Sequence, residues 1–143
     1  MKLLISACLL GIPCRYDGAS KPQSWVEKLA ERHELVPVCP EQLGGLPTPR
    51  DPAERQGDKV ISCAGKDVTK AYTKGAETAL YFAKLNHVDF AVMKAKSPSC
   101  GKGLIYDGTF TGNKIPGNGV TVELLNANGI PVFTEDELDQ LPL

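Results

Sequence analysis

The chain has 143 residues, with 16 Lys and Arg against 17 Asp and Glu, and a formal net charge of −1 at pH 7. This length fits one ordinary domain with a hydrophobic core. The near-neutral charge gives no sign of the basic face that duplex nucleic acid requires, and no apolar run is long enough to cross a bilayer. The apolar start is followed at once by Arg15, Tyr16 and Asp17, so we interpret it as a buried strand rather than a signal peptide and expect a cytoplasmic protein.

Apolar runs and turn-forming residues alternate along the first part of the chain. They predict a strand at residues 3–9, a long loop at 11–22 and a helix at 24–33. A second strand at 34–39 and an irregular stretch with four prolines at 40–58 follow. Ser24 and Glu27 have the spacing of a capping box at the start of the helix. An irregular stretch as long as residues 40–58 is usually functional.

The second part of the chain continues the alternation. It predicts a short strand at residues 60–63, a long helix from Asp67 or Thr69 to Asn86, a strand within 87–96, and a glycine-rich loop at 97–118 containing a hairpin at 104–111. A helix at 120–128, a strand at 130–133 and a short helix at 135–141 follow. The long helix has an apolar stripe at Val68, Tyr72, Ala76, Ala79, Leu80, Ala83 and Leu85.

This order of elements predicts an α/β fold with a mainly parallel sheet flanked by helices, Rossmann-like, in a single domain spanning residues 1–143. Ligands of such sheets bind in the loops that follow the carboxyl ends of the strands. Side chains placed just after predicted strands are therefore the first candidates for a functional site.

Five cysteines, an odd number, indicate reduced thiols used for metal binding or catalysis rather than a disulfide scaffold. Cys8, Cys39 and Cys100 each follow an apolar run and precede a turn-forming break, so we expect them to converge at one edge of the sheet. Three thiols would leave one position of a metal or cluster free for chemistry. Cys14 is the natural alternative to Cys8, and Cys63 also lies near a predicted strand end.

The cysteine spacing limits the kind of metal site. There is no C-x-x-C pair, which argues against a zinc ribbon or a thioredoxin-type dithiol, and the cysteines do not crowd into one loop as in ferredoxins. Thiolates favour zinc, copper(I) or iron–sulfur over hard cations. The only histidines, His33 and His87, are interpreted as structural.

Glu41, two residues after Cys39, is the leading acid–base candidate, because a shielded carboxylate beside a metal can move protons near neutral pH. A solvated loop glutamate is the alternative. Ser97 and Ser99, just before Cys100, are candidates to donate hydrogen bonds to a substrate or to cap the turn.

Three further side chains are candidates for the mouth of the site. Arg50 has the chemistry to clamp an anion or to orient a loop carboxylate. Arg15 and Tyr16 lie in the first loop and are predicted to line the same mouth. Surface salt bridges are the alternative for the two first-loop residues.

Four blocks of sequence carry a family resemblance: SACLLGIPCRYDG, PVCPEQLGGLPTPR, GKDVTKAYTKGA and KSPSCG. They resemble a family long labelled a domain of unknown function that includes the bacterial thiouracil desulfidases. The resemblance implies a [4Fe–4S] cluster bound by Cys8, Cys39 and Cys100, with one iron open to the sulfur of a thiolated pyrimidine. It also implies that Glu41 is the acid–base residue and that a serine of the SPSC block, Ser97 in preference to Ser99, steadies the substrate.

The reaction so implied is desulfuration of a 2-thiouracil-like base without net redox change, releasing hydrosulfide and uracil. The expected partner is a small thiolated nucleobase or nucleoside, with no membrane and no duplex nucleic acid. The alternative is a non-catalytic metal-binding or sulfur-carrier protein. Glu41 discriminates between the two, because desulfuration needs a group that moves protons and storage does not.

Overall fold

The structure is a computed structural model that describes all 143 residues. It contains eight strands: β1 (Lys2–Ser6), β2 (Glu34–Val38), β3 (Ala53–Gln56), β4 (Lys59–Ser62), β5 (Phe90–Met93), β6 (Leu104–Tyr106), β7 (Lys114–Pro116) and β8 (Val132–Thr134). The four α-helices are α1 (Val26–Arg32), α2 (Pro40–Leu43), α3 (Thr69–Leu85) and α4 (Val120–Ala127).

The centre of the protein is a four-stranded parallel sheet in the order β2-β1-β5-β8. In its register, Leu4 of β1 lies beside Val36 of β2 on one side and Ala91 of β5 on the other. Every residue of β5 is buried, as expected for a strand covered on both faces. The predicted α/β fold with a mainly parallel sheet is confirmed.

Alternate residues of β1 fill two cores on opposite faces of the sheet. Leu4 packs with residues of α3 and α4, among them Ala79 and Leu125. Leu3 and Ile5 pack on the other face with residues that include Leu29 of α1. Because both faces are covered, the carboxyl edge of the sheet is where side chains can meet around an open cavity.

Two small antiparallel ribbons lie outside the central sheet, one of β3 with β4 and one of β6 with β7. The predicted strand at 60–63 is therefore real but belongs to a separate ribbon. The stretch at 40–58, predicted to be irregular, contains α2 and β3; that prediction is wrong because four-residue elements among prolines show no periodicity.

Other boundaries differ from the sequence prediction for local reasons. β1 ends at Ser6, and Ala7–Leu10 form a 3₁₀ turn that Gly11 closes in a left-handed conformation, φ 92°. Helix α1 begins at Val26 with no side-chain hydrogen bond at its start, so the capping box from Ser24 is wrong. The end of the chain forms only a 3₁₀ turn, Leu138–Gln140, instead of the helix predicted at 135–141.

The bounds of the long helix are predicted well, but not every residue of its predicted apolar stripe is buried. Tyr72, Ala76, Ala79 and Ala83 are buried, whereas Leu85 at the last turn is exposed, contrary to prediction. The second hairpin also extends beyond the hairpin predicted at residues 104–111, since β6 ends at residue 106 and β7 begins only at residue 114. No helix of the protein is long and apolar enough to span a membrane.

Candidate functional site

A cavity of about 490 Å³ opens at the carboxyl edge of the central sheet. Its lining includes four of the five cysteines, namely Cys8, Cys14, Cys39 and Cys100. Cys63, at the end of the β3–β4 ribbon, is exposed and does not line it. A wider cleft of about 580 Å³ lies at the opposite edge, where both histidines are found, and has no thiol in its lining.

The parallel strands deliver the thiols to this cavity. Cys8 lies in the 3₁₀ turn after β1, and Cys39 follows β2 directly and precedes α2. Cys100 lies in the turn after β5, where the backbone N–H of Gly101 bonds to the carbonyl of Ser97 at 2.9 Å. The predicted convergence of three strand-end thiols is thus present in the geometry, with Cys14 as a fourth member.

Cys14 interacts with both Cys8 and Cys39. A hydrogen bond with Cys39 lowers the pKa of the Cys14 thiol, but a hydrogen bond with Cys8 and burial outweigh it and raise that pKa to about 11. The hydrogen bond with Cys14 and burial likewise raise the pKa of Cys39. Burial raises the pKa of Cys100 to about 12. In this state Cys14, Cys39 and Cys100 are neutral at pH 7, and metal binding would release their protons.

The donor set consists of soft ligands. Four thiols and no histidine line the cavity. An iron–sulfur cluster binds a cysteine thiolate at each of several irons. Soft sulfur donors around a partly closed cavity fit an iron–sulfur cluster.

Glu41, on α2, presents its carboxylate to the same cavity. Its Oε1 accepts a hydrogen bond from the Tyr72 hydroxyl at 2.7 Å and another from Nε of Arg50 at 3.2 Å. Oε2 has no protein partner, and no unpartnered side-chain oxygen or nitrogen in the protein is sealed from solvent. Oε2 is therefore the oxygen that can act in the cavity.

Arg50 holds the loop around Glu41 together through hydrogen bonds, and its side chain is only 6% exposed. Nη2 donates to the carbonyl of Cys14 at 2.9 Å, and Nη1 donates to the carbonyl of Pro47 at 3.1 Å and to Oγ1 of Thr48 at 3.0 Å. The geometry therefore favours the orientation of a loop carboxylate over the clamping of an anion. Contact with substrate stays a prediction for Arg50.

The two candidate serines have different surroundings. Oγ of Ser97, which lines the cavity, accepts bonds from the backbone N–H groups of Ser99 at 3.1 Å and Cys100 at 3.0 Å. Its own hydroxyl proton is left free for another acceptor. Ser99 is fully buried, and its Oγ lies 2.7 Å from Oγ1 of Thr121. Ser97 is thus the serine placed to meet a ligand.

The mouth of the cavity is aromatic. Arg15 and Tyr16 are part of its lining, with the guanidinium carbon of Arg15 5.7 Å from the centroid of the Tyr16 ring. Tyr106 and Phe110, from the β6–β7 ribbon, also line it. Sequence reasoning missed both because no local pattern indicates that a hairpin folds over a distant edge.

Tyr72 belongs to the predicted apolar stripe of the long helix, yet its hydroxyl also donates a hydrogen bond to Glu41. Burial and the nearby carboxylate raise the pKa of Tyr72, so it remains a protonated donor. The available signal was its residue type, since a buried tyrosine usually finds a hydrogen-bond partner for its hydroxyl.

A parallel α/β sheet with a thiol-lined cavity and a poised carboxylate defines a class of enzyme that works with a thiolate-bound metal group. A family model describing 2-thiouracil desulfurase matches residues 3–137. The chain belongs to the 2-thiouracil desulfurase family, so the resemblance seen in its four sequence blocks is confirmed.

Two relatives extend this assignment over nearly the whole chain. Uncharacterized protein YbbK of Bacillus subtilis (strain 168) is 42% identical over 149 residues, covering 97% of this chain and 99% of that protein. The solved structure of the [4Fe-4S]-dependent thiouracil desulfidase TudS is 48% identical, with a TM-score of 0.94, covering 98% of this chain and 94% of that one.

Proposed function

We propose that this protein, acting as a single domain, removes sulfur from a thiolated pyrimidine of the 2-thiouracil type and releases hydrosulfide and uracil. The observation that carries this proposal is the convergence of four thiols and a free carboxylate oxygen on one cavity in a member of this family. Water supplies the oxygen that replaces sulfur, and no electrons are transferred overall.

The proposed cofactor is a [4Fe–4S] cluster held by Cys8, Cys39 and Cys100, with Cys14 as the alternative first ligand. The similar TudS structure is described as [4Fe-4S]-dependent. When bound, such a cluster supplies a Lewis-acidic iron that polarises the carbon–sulfur bond. The fit rests on the soft thiol ligands that three separate strand ends supply to one cavity.

Glu41 and Ser97 are the proposed catalytic residues. Oε2 of Glu41 takes a proton from the attacking water and returns one to the departing sulfur or the ring nitrogen. The free hydroxyl proton of Ser97 bonds to a heteroatom of the base and fixes its orientation in the cavity. Ser99 is left out of the chemistry because it is buried against Thr121.

The proposed substrate is a free base or a nucleoside rather than a polymer. A cavity of about 490 Å³ has the size typical of small-molecule sites. The Tyr16, Tyr106 and Phe110 rings at its mouth suit a flat heteroaromatic ring. We place the protein in the cytoplasm, where its five free cysteines would stay reduced.

Anaerobic purification with iron and sulfide counting, followed by a hydrosulfide assay with 2-thiouracil, tests the proposal. We expect four irons per chain by analogy with the cluster named for TudS, together with hydrosulfide and uracil in equal amounts. Uracil as substrate and the cluster-free protein are the controls. Iron or zinc binding without turnover would instead support the carrier alternative.

A further inference from the structure

Glu41 and Tyr72 come from two different helices and meet across a backbone-to-backbone contact. Glu41 lies on α2 and Tyr72 on α3, where Tyr72 is 2% exposed. The hydroxyl donates to Oε1 at 2.7 Å. This short bond to a charged acceptor is of the stronger kind found in proteins.

Two glycines allow the helices to approach closely enough for that bond. A Cβ on Gly75 of α3 would collide with the carbonyl oxygen of Pro40, and a Cβ on Gly44, just after α2, would collide with the carbonyl oxygen of Ala71. Neither glycine is in a left-handed conformation. Glycine is therefore required at both positions because a side chain would not fit between the two backbones. This close approach places α2, with Glu41, against the turn of α3 that carries Tyr72.

Tyr72 and Arg50 bind the same oxygen of Glu41. The terminal torsion of a glutamate is broad and roughly two-fold, so a carboxylate held at one point can still swing. Oε1 accepts one hydrogen bond from Tyr72 of α3 and one from Arg50 of the loop after α2. Together these two donors fix the carboxylate plane and leave Oε2 as the oxygen facing the cavity. A catalytic proton acceptor gains most when it is held in its reactive geometry beforehand.

We propose that Tyr72 is a positioning residue that, together with Arg50, holds Oε1 of Glu41 and so aims Oε2 at the reacting atoms. This inference rests on the proposed function, in which Glu41 moves the proton. Tyr72 itself does not contact the substrate; it acts through Glu41.

Tyr72→Phe removes the hydroxyl and keeps the ring in the core. We expect kcat for 2-thiouracil to fall about ten- to a hundredfold, the range for one hydrogen bond to a charged group. KM and iron per chain should stay unchanged, because substrate binding and the thiols are untouched. Tyr81→Phe, on the exposed face of the same helix, is the matched control and should retain full kcat.

A double-variant comparison separates positioning from general damage. Glu41→Asp shortens the side chain by one methylene and breaks the bond to Tyr72, so adding Tyr72→Phe to Glu41→Asp should cause no further loss of kcat. If Tyr72→Phe lowers kcat by the same factor in the Glu41→Asp variant as in the unaltered protein, the inference is overturned. So would wild-type kcat in Tyr72→Phe when Glu41→Gln is inactive.

A crystal structure of cluster-free Tyr72→Phe provides a readout that does not depend on turnover. We expect the Glu41 carboxylate to occupy more than one orientation, compared with a single one in Tyr81→Phe. A single unchanged orientation would contradict the positioning role. If Glu41→Gln is fully active, the proposed acid–base role fails, and the orientation of Glu41 in this structure still decides whether Tyr72 holds it.

Discussion

The backbone N–H of Cys100 donates a hydrogen bond to Oγ of Ser97 at 3.0 Å, so a proposed substrate-binding side chain also shapes the turn that presents a proposed cluster ligand. The turn is further held by the start of α4, where Val120 and Thr121 donate backbone bonds to the carbonyls of Pro98 and Ser99 at 2.9 Å each. One short loop thus couples ligand placement to substrate contact.

Ser97 and Ser99 should respond differently to loss of their hydroxyls. Ser97→Ala should lower kcat/KM for 2-thiouracil by at least about tenfold, the loss of one substrate hydrogen bond. Ser99→Ala should leave activity per cluster intact but lower the free energy of unfolding by about 1–3 kcal/mol, because Thr121 keeps a buried hydroxyl without its partner. Hydrosulfide assays and urea unfolding measure the two effects, and the reverse pattern would exchange the roles of the serines.

Glu41→Gln keeps the size of the side chain and removes its ability to take a proton. We expect kcat to fall by about 10²–10⁴, the usual contribution of a general acid–base group. Iron and sulfide counts should match the unaltered protein, since no thiol is changed. An active variant with a normal cluster would rule out the proposed role of Glu41.

The cysteines should divide into ligands and non-ligands by iron content. Cys8→Ser, Cys39→Ser and Cys100→Ser should each lose the cluster, whereas Cys63→Ser should keep it, because Cys63 is exposed outside the cavity. Cys14→Ser is the deciding variant, since its thiol contacts both Cys8 and Cys39. If Cys14→Ser loses the cluster and Cys8→Ser retains it, Cys14 is the first ligand instead.

The cluster-free protein should show one reactive thiol at neutral pH. Cys14 and Cys100 are buried, with pKa values raised to about 11 and about 12, so both are neutral thiols at pH 7 and poor nucleophiles. Iodoacetamide followed by mass spectrometry should therefore modify exposed Cys63 first. Modification of Cys14 should become faster as the pH rises toward 11; rapid modification at pH 7 would contradict its burial.

Gly75→Ala tests the contact between α2 and α3. The added methyl group meets the backbone of Pro40, so we expect a destabilisation of about 1–3 kcal/mol from overpacking. Activity per folded molecule should also fall, because α2 carries Glu41. Lys74→Ala, at an exposed neighbouring position, is the control for thermal unfolding. Equal melting temperatures for the two variants would show that the helices can separate without cost.

The sequence predicts the parallel sheet and the strand-end thiols because both depend on local patterns: apolar runs set the strands, and the residue after each run marks the edge. Tyr72 and Phe110 illustrate what local patterns omit. The stripe of α3 places Tyr72 in the core, but only the packing of α2 against Gly75 brings its hydroxyl to Glu41. Phe110 reaches the cavity through the tertiary placement of the β6–β7 ribbon, which no spacing encodes.

The strand order β2-β1-β5-β8 also determines when, during synthesis of the chain, the cofactor can bind. β1 is synthesised first yet lies in the interior of the sheet, and its neighbour β5 begins only at residue 90 of 143. Synthesis runs from the N-terminus and a domain generally folds as a unit, so Cys8, Cys14 and Cys39 are made before Cys100 can join them. A cluster that needs Cys100 is therefore loaded late, and until then the early thiols stand open to any reagent the cell presents.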